Sequence, residues 1–396
     1  MEENKKAPPP KRLKKPNIVV RLLALAVTAG LVLGALALVV YRDQINPNTL
    51  KRWLNLRNMQ TSATGEAVPF THAGGDKLSV AYLDSGVVTV SASGAHYYGL
   101  DGAPLADEVL SMENPVLAAS RTTAVAYDAG SQSLFAFRNG EEYFSLSLSG
   151  GADLLSARPN DSGWLAVTAQ QSGYKGAVTV YNSRGTQVIQ ISLSSTFAVD
   201  AAISPDGQTA AVITMGQEGG DFFSRLLLYP VDQEEPSAQV ELGDLMVLDL
   251  DFDKDLLWVL CEDRLLTVDL SAEGEPAVQT CFLSPNYLKG CTLEGDGFAL
   301  LLTGRYRSGG AEQVLVVDRA AQVVRSLPIT GQALDYAACG EYFALLTGSR
   351  LTIYNGQLEQ FAALEDPRGA RTIGLASNGS ALLANEQEAW LFIPPS

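Results

Sequence analysis

Ile203-Ser204-Pro205-Asp206-Gly207-Gln208-Thr209-Ala210-Ala211-Val212-Ile213 joins the end of one apolar strand to the start of another through a short polar turn. Each turn residue has a reason to be there: Pro presets φ, Asp accepts nearby backbone N–H groups, and Gly tolerates a left-handed backbone. The same layout, strand end, tight turn, apolar strand, returns over 293–302, 338–346 and 376–384. A third apolar run follows in each unit, as Val178–Tyr181, Leu226–Tyr229 and Leu351–Tyr354 illustrate. Helical periodicity is nearly absent after residue 68, so the body reads as all-β.

Working outward, first strands begin near 68, 115, 153, 198, 246, 288, 333 and 371, at spacings of 38 to 48 residues. That is the period of a four-stranded propeller blade. The expected fold is therefore a β-propeller of four-stranded antiparallel blades, eight in number, with seven as the alternative because the first unit is the least regular. Only three strands are evident in the last unit, so either its fourth comes from the chain near residues 60–66, closing the ring, or that blade stays three-stranded.

Composition and charge separate the body from what precedes it. With 46% hydrophobic and 18% charged residues, the chain is long enough to bury roughly three quarters of its unfolded surface. Residues 1–60 hold eleven Lys/Arg against three Asp/Glu, and the remaining 336 hold 17 against 41. A body at −24 repels phosphate backbones, which argues against nucleic acid as its partner.

Leu22 to Val40 runs without a charge or a proline, long enough to cross a hydrocarbon core of ~30 Å. Lys5, Lys6, Lys11, Arg12, Lys14, Lys15 and Arg21 precede it, and such charges stay on the cytoplasmic side. The expectation is a basic cytoplasmic tail (1–21), a single transmembrane helix (22–41), a juxtamembrane amphipathic segment and linker (42–65), and an extracytoplasmic propeller (66–396). The rival reading, a cleaved signal peptide, fits less well because the run is long and starts late. Gly30 and Gly34 form a small-xxx-small pair, which admits two readings: a lone anchor, or two spans packed as a weak homodimer.

The Ser204-Pro205-Asp206-Gly207 turn and the apolar strand after it resemble WD40-like and TolB-like propeller repeats. The count of eight resembles quinoprotein-type propellers. As a whole, span, juxtamembrane segment and body are similar to an uncharacterised family of single-span, externally facing propeller proteins of Gram-positive bacteria, a domain of unknown function. The Gly-His and Trp-Asp signatures of true WD40 repeats are absent, and Trp164, Trp258 and Trp390 stand at inequivalent positions, so the resemblance implies no quinone cofactor.

Chemistry-bearing motifs are few. His72 and His96 are the only histidines, which excludes a histidine metal cluster, and no G-x-S-x-G or phosphate-binding loop occurs. Cys261, Cys281, Cys291 and Cys339 lack C-x-x-C spacing. Asp249, Asp251, Asp253 and Asp255 alternate with Leu250, Phe252 and Lys254, placing carboxylates on one side of a strand. Ca2+ is one answer to that crowding; the other is structural, the carboxylates holding backbone N–H groups at the inner rim, and the recurrence of Asp153, Asp200 and Asp335 in other first strands favours it.

Three units carry long insertions between second and third strands, at 170–176, 216–224 and 304–310. In a propeller these loops share one face, which would display Tyr174, Phe222, Phe223, Arg305, Tyr306 and Arg307, residue types enriched in binding hot spots. The expected function is a non-enzymatic scaffold or protein-binding module at the cell envelope. The alternative is a small-ligand or carbohydrate-binding or hydrolysing propeller that uses an acidic central channel.

Overall fold

The computed structural model describes Thr28, Leu56, residues 59–271 and residues 274–395. The chain divides into two compact units, Met1–Asn55 and Leu56–Ser396. The apolar run 22–41, with Gly30 and Gly34, and most of the juxtamembrane segment lie outside the described residues. Among the described residues no helix is long and apolar enough to cross a membrane.

In the second unit, thirty-two strands form eight four-stranded antiparallel sheets. Seven are consecutive in sequence, and the eighth joins the last three strands to the first, Phe70–Thr71: an eight-bladed propeller. The middle strands of a blade are covered on both faces by neighbouring blades, so they read as continuous apolar runs. Leu256–Cys261 and Phe298–Gly304 are buried at every position. The outermost strands have solvent beside them and alternate, as in Gln187–Leu193. The core thus lies between blades; one cluster joins Val178, Val180 and Ile191 of blade 3 to Ala201, Ala210 and Val212 of blade 4.

The turn at 204–207 shows how blades interlock. Ser204 Oγ donates to Asp206 Oδ1 at 2.6 Å and accepts the N–H of Thr209 at 2.9 Å, while Asp206 accepts the N–H of Gln208 at 3.0 Å. Asn160 of blade 3 donates to the Ser204 carbonyl at 2.8 Å. Gly207 has φ +72, and a Cβ there would lie 2.6 Å from the Trp164 ring of blade 3. Glycine is required twice over, by backbone conformation and by the neighbouring ring.

Ring closure differs in detail from expectation. The last blade contains Thr372–Leu375, Ala381–Ala384 and Glu388–Phe392, and its outer strand is Phe70–Thr71, with Phe70 opposite Ala389 and Thr71 opposite Glu388. Residues expected to start the first blade near 68 therefore close the eighth, and blade 1 begins at Ser79. The segment 61–65, expected as linker, is tied in as well. Thr61 bridges to Ala67, Glu66 bridges to Phe392, and Ile393 donates its N–H to the Gly65 carbonyl at 2.8 Å. Buried Glu66 also pairs with Arg368 at 2.9 Å.

Strand direction defines two faces. First-to-second and third-to-fourth turns lie on the lower face; second-to-third loops and the connections between blades lie on the upper face. Glu66 bridges to Phe392 and the Gly65 carbonyl accepts from Ile393, both at the lower-face end of blade 8. The described chain therefore enters from below.

Candidate functional site

All eight innermost strands line an axial cavity of about 600 Å³. In blades 3 to 7 this strand carries a bulge at the same place, between Leu154 and Ser156, Ala198 and Asp200, Val247 and Asp249, Leu288 and Gly290, and Ala333 and Asp335. A bulge re-aims the side chain that follows it. Asp200, Asp249 and Asp335 each accept the N–H of the next residue, at 2.8, 2.9 and 2.9 Å. Asp335 also accepts the N–H of Ile373 from blade 8, at 2.9 Å. Asp153 does not share this position; Ser156 does, and its hydroxyl donates to Asp200.

Arg158 connects three blades from inside the ring. Its guanidinium lies 2.7 Å from Asp200 and 2.8 Å from Asp249, and it donates to the Leu250 carbonyl at 3.2 Å. Burial opposes its charge, but the two carboxylates more than offset that and raise its pKa.

The four alternating aspartates do not converge on one point. Asp249 faces Arg158, and Asp251 lines the cavity. Asp253 accepts the N–H of Gly297 at 2.9 Å and pairs with Arg319 at 3.1 Å, and Asp255 takes the other arm of Arg319. Among the described residues no group of three or more His, Cys, Asp or Glu is arranged to hold a metal ion.

Asp251 and Glu294 are the perturbed acids of the cavity. Loss of hydration raises Asp251 well above the usual carboxylate range, helped by the charges of Glu294 and Asp249. Glu294 is reached by cavity solvent yet ringed by protein; lost hydration first, then Asp249 and Asp161, lift its pKa to about 7, with Arg158 acting the other way. Cys291 and Cys339 also line the cavity as free thiols, raised by burial. Cys261 and Cys281 are free and buried in blade 5. His72 is buried with Nε2 3.0 Å from the Asn385 carbonyl, and His96 pairs with Asp107. Neither histidine lines the cavity.

The upper face has a different character. Its insertion at 216–224 is a projecting hairpin, Thr209–Glu218 paired with Asp221–Pro230 across Gly219 and Gly220, both at positive φ as a tight hairpin turn requires. Tyr174, Phe222 and Tyr306 are 47%, 62% and 67% exposed. Phe223, expected on display, is half-buried: it lies over Gly216, with the Arg225 guanidinium 4.2 Å from its ring centre. Arg305 pairs with Glu312 at 2.7 Å, and the Arg307 carbonyl accepts from Lys289 Nζ at 2.8 Å.

Sequence reasoning missed most of this surface. Of seventeen exposed large apolar side chains among the described residues, eleven lie on the upper face, including Phe197, Leu248, Phe282 and Tyr287; the rest belong to outer strands or the entering chain. The missed residues sit at the upper ends of first or fourth strands and look like ordinary strand residues in sequence. Their signal was position beside an inter-blade connection, legible only once strand polarity is assigned.

A family profile, that of a family of unknown function (DUF5711), matches residues 59–360. No curated protein matches the chain. Among solved structures, the C-terminal WD40 domain of Sif2 aligns at 11% identity and a TM-score of 0.57, covering 85% of this chain and 100% of that one. The computationally designed Ika8 protein aligns at 11% and 0.55, covering 84% and 98%. Apo AztD from Citrobacter koseri aligns at 10% and 0.52, covering 74% and 86%. At these identities the likeness concerns the fold.

Proposed function

We propose a function for a chain that belongs to the family of unknown function DUF5711: it is a non-enzymatic, membrane-anchored propeller that holds a protein partner at the cell envelope on its upper face. The observation that carries this reading is the concentration of exposed apolar side chains on that one face. Exposed apolar surface gathered in one place marks an interaction site. The described chain joins blade 8 at the opposite face, where Glu66 bridges to Phe392. The basic residues before the apolar run 22–41 orient the body outward. In vivo cross-linking of the full-length protein tests the reading, comparing wild type with a Tyr174→Ala, Phe222→Ala, Tyr306→Ala variant. One defined envelope protein captured by wild type and lost in the variant is the expected result; the same capture by both overturns it.

The raised acids of the axial cavity favour a second reading, a small ligand bound there, including a carbohydrate. Its measurement is a ligand-dependent rise in melting temperature that vanishes in Glu294→Gln. A set of Ca2+, organic cations and oligosaccharides that leaves wild type unmoved removes this reading.

A further inference from the structure

We infer that the part of the upper face over blades 6 and 7 is the docking site for an acidic, apolar segment of the partner protein; this rests on the reading above and adds the partner's chemistry. The loop after Phe298–Gly304 is a braced projection. Glu312 donates its N–H to the Thr303 carbonyl at 2.8 Å, Arg305 pairs with Glu312 across the base, and Lys289 Nζ ties the Arg307 carbonyl to the innermost strand. Bracing leaves two groups unengaged at its tip, the Tyr306 ring and the Arg307 guanidinium. Tyr287 and Leu334, 46% and 38% exposed, stand at the upper ends of neighbouring innermost strands. An anchor held in place before binding loses little freedom on binding, which favours affinity.

Charge selects the occupant. The body carries −24 overall, yet Lys289, Arg305 and Arg307 gather around this loop, where Arg305 already holds Glu312, and on blade 7 Arg350 holds Glu365. The chain's own first 60 residues carry +8, so that segment does not complement this patch in sign. A second copy placed patch to patch would set Arg307 and Lys289 against their equals. A segment pairing carboxylates with Arg307 and Lys289 while resting apolar side chains on Tyr287, Tyr306 and Leu334 meets both requirements.

Selection of a random twelve-residue peptide library on the full-length protein in neutral-lipid nanodiscs tests this without knowledge of the partner. Peptides enriched on wild type are expected to combine Asp or Glu with large apolar residues. Their affinity should fall at least tenfold in Tyr306→Ala and in Arg307→Glu, and selection on Arg307→Glu should turn towards Lys and Arg. No enrichment, or enriched peptides indifferent to both substitutions, overturns the inference. So does binding of the protein to phosphatidylglycerol vesicles, lost in Arg307→Glu, without peptide enrichment, which would make the patch a lipid contact. Peptides that depend on Phe222 and ignore Arg307 overturn it while leaving the upper-face reading in place.

Discussion

Gly207 sits at φ +72 with the Trp164 ring of the neighbouring blade where a Cβ would go. Gly207→Ala is therefore expected to cost about 1–3 kcal/mol, read as a lower urea midpoint at unchanged slope. Glu294 gives a test of sign. Its pKa is about 7 in the folded protein against 4.5 ordinarily, so the folded form holds an extra proton between those values and stability falls as pH rises from about 4.5 to about 7. Glu294→Gln should match wild type near pH 4.5 and exceed it above pH 7, in urea melts at both pH values. The aspartate alternation from 249 to 255 was visible in sequence, but the bulge at Val247/Asp249 was not. An extra strand residue leaves no mark in composition, and without it the division of the four side chains between cavity and Arg319 is hidden.

Among elements, the innermost strands of blades 3, 4 and 5 depend on Arg158, whose removal leaves Asp200 and Asp249 facing one another without a cation. The three side chains are 17–31% exposed, so Arg158→Met is expected to cost about 2–3 kcal/mol, less than a fully buried pair. A cycle with Asp249→Asn checks it: the second substitution should cost less in the Arg158→Met background than alone. The hairpin tip behaves oppositely. Replacing residues 217–222 by a two-residue Asn-Gly turn removes no blade contact, so the melting temperature should stay within about 2 °C while partner capture falls. Strand order, repeat and blade count were legible because middle strands are apolar throughout and turns recur between them. The first unit was misplaced because Val68-Pro69-Phe70 is as apolar as a first strand, and pairing with Glu388–Phe392 is a contact across more than 300 residues that local pattern does not encode.

At the scale of the whole molecule, the propeller is a closed ring whose last blade borrows its outer strand from the front of the body. Deleting residues 1–71 should leave that blade three-stranded and lower the melting temperature by more than about 10 °C, whereas deleting residues 1–54 should leave it nearly unchanged; calorimetry of the two truncations distinguishes them. Joining distant segments carries a kinetic cost as well, because loop closure must precede the contacts that reward it. Phe70 and Thr71 leave the ribosome about 320 residues before their partners Ala389 and Glu388 do. At about 5–20 residues per second the clasp waits roughly 16–64 s for its counterpart. Throughout that interval the half-made disc exposes the apolar flank of its newest blade, which each following blade covers as it emerges, and the last flank stays open until Glu388–Phe392 arrives.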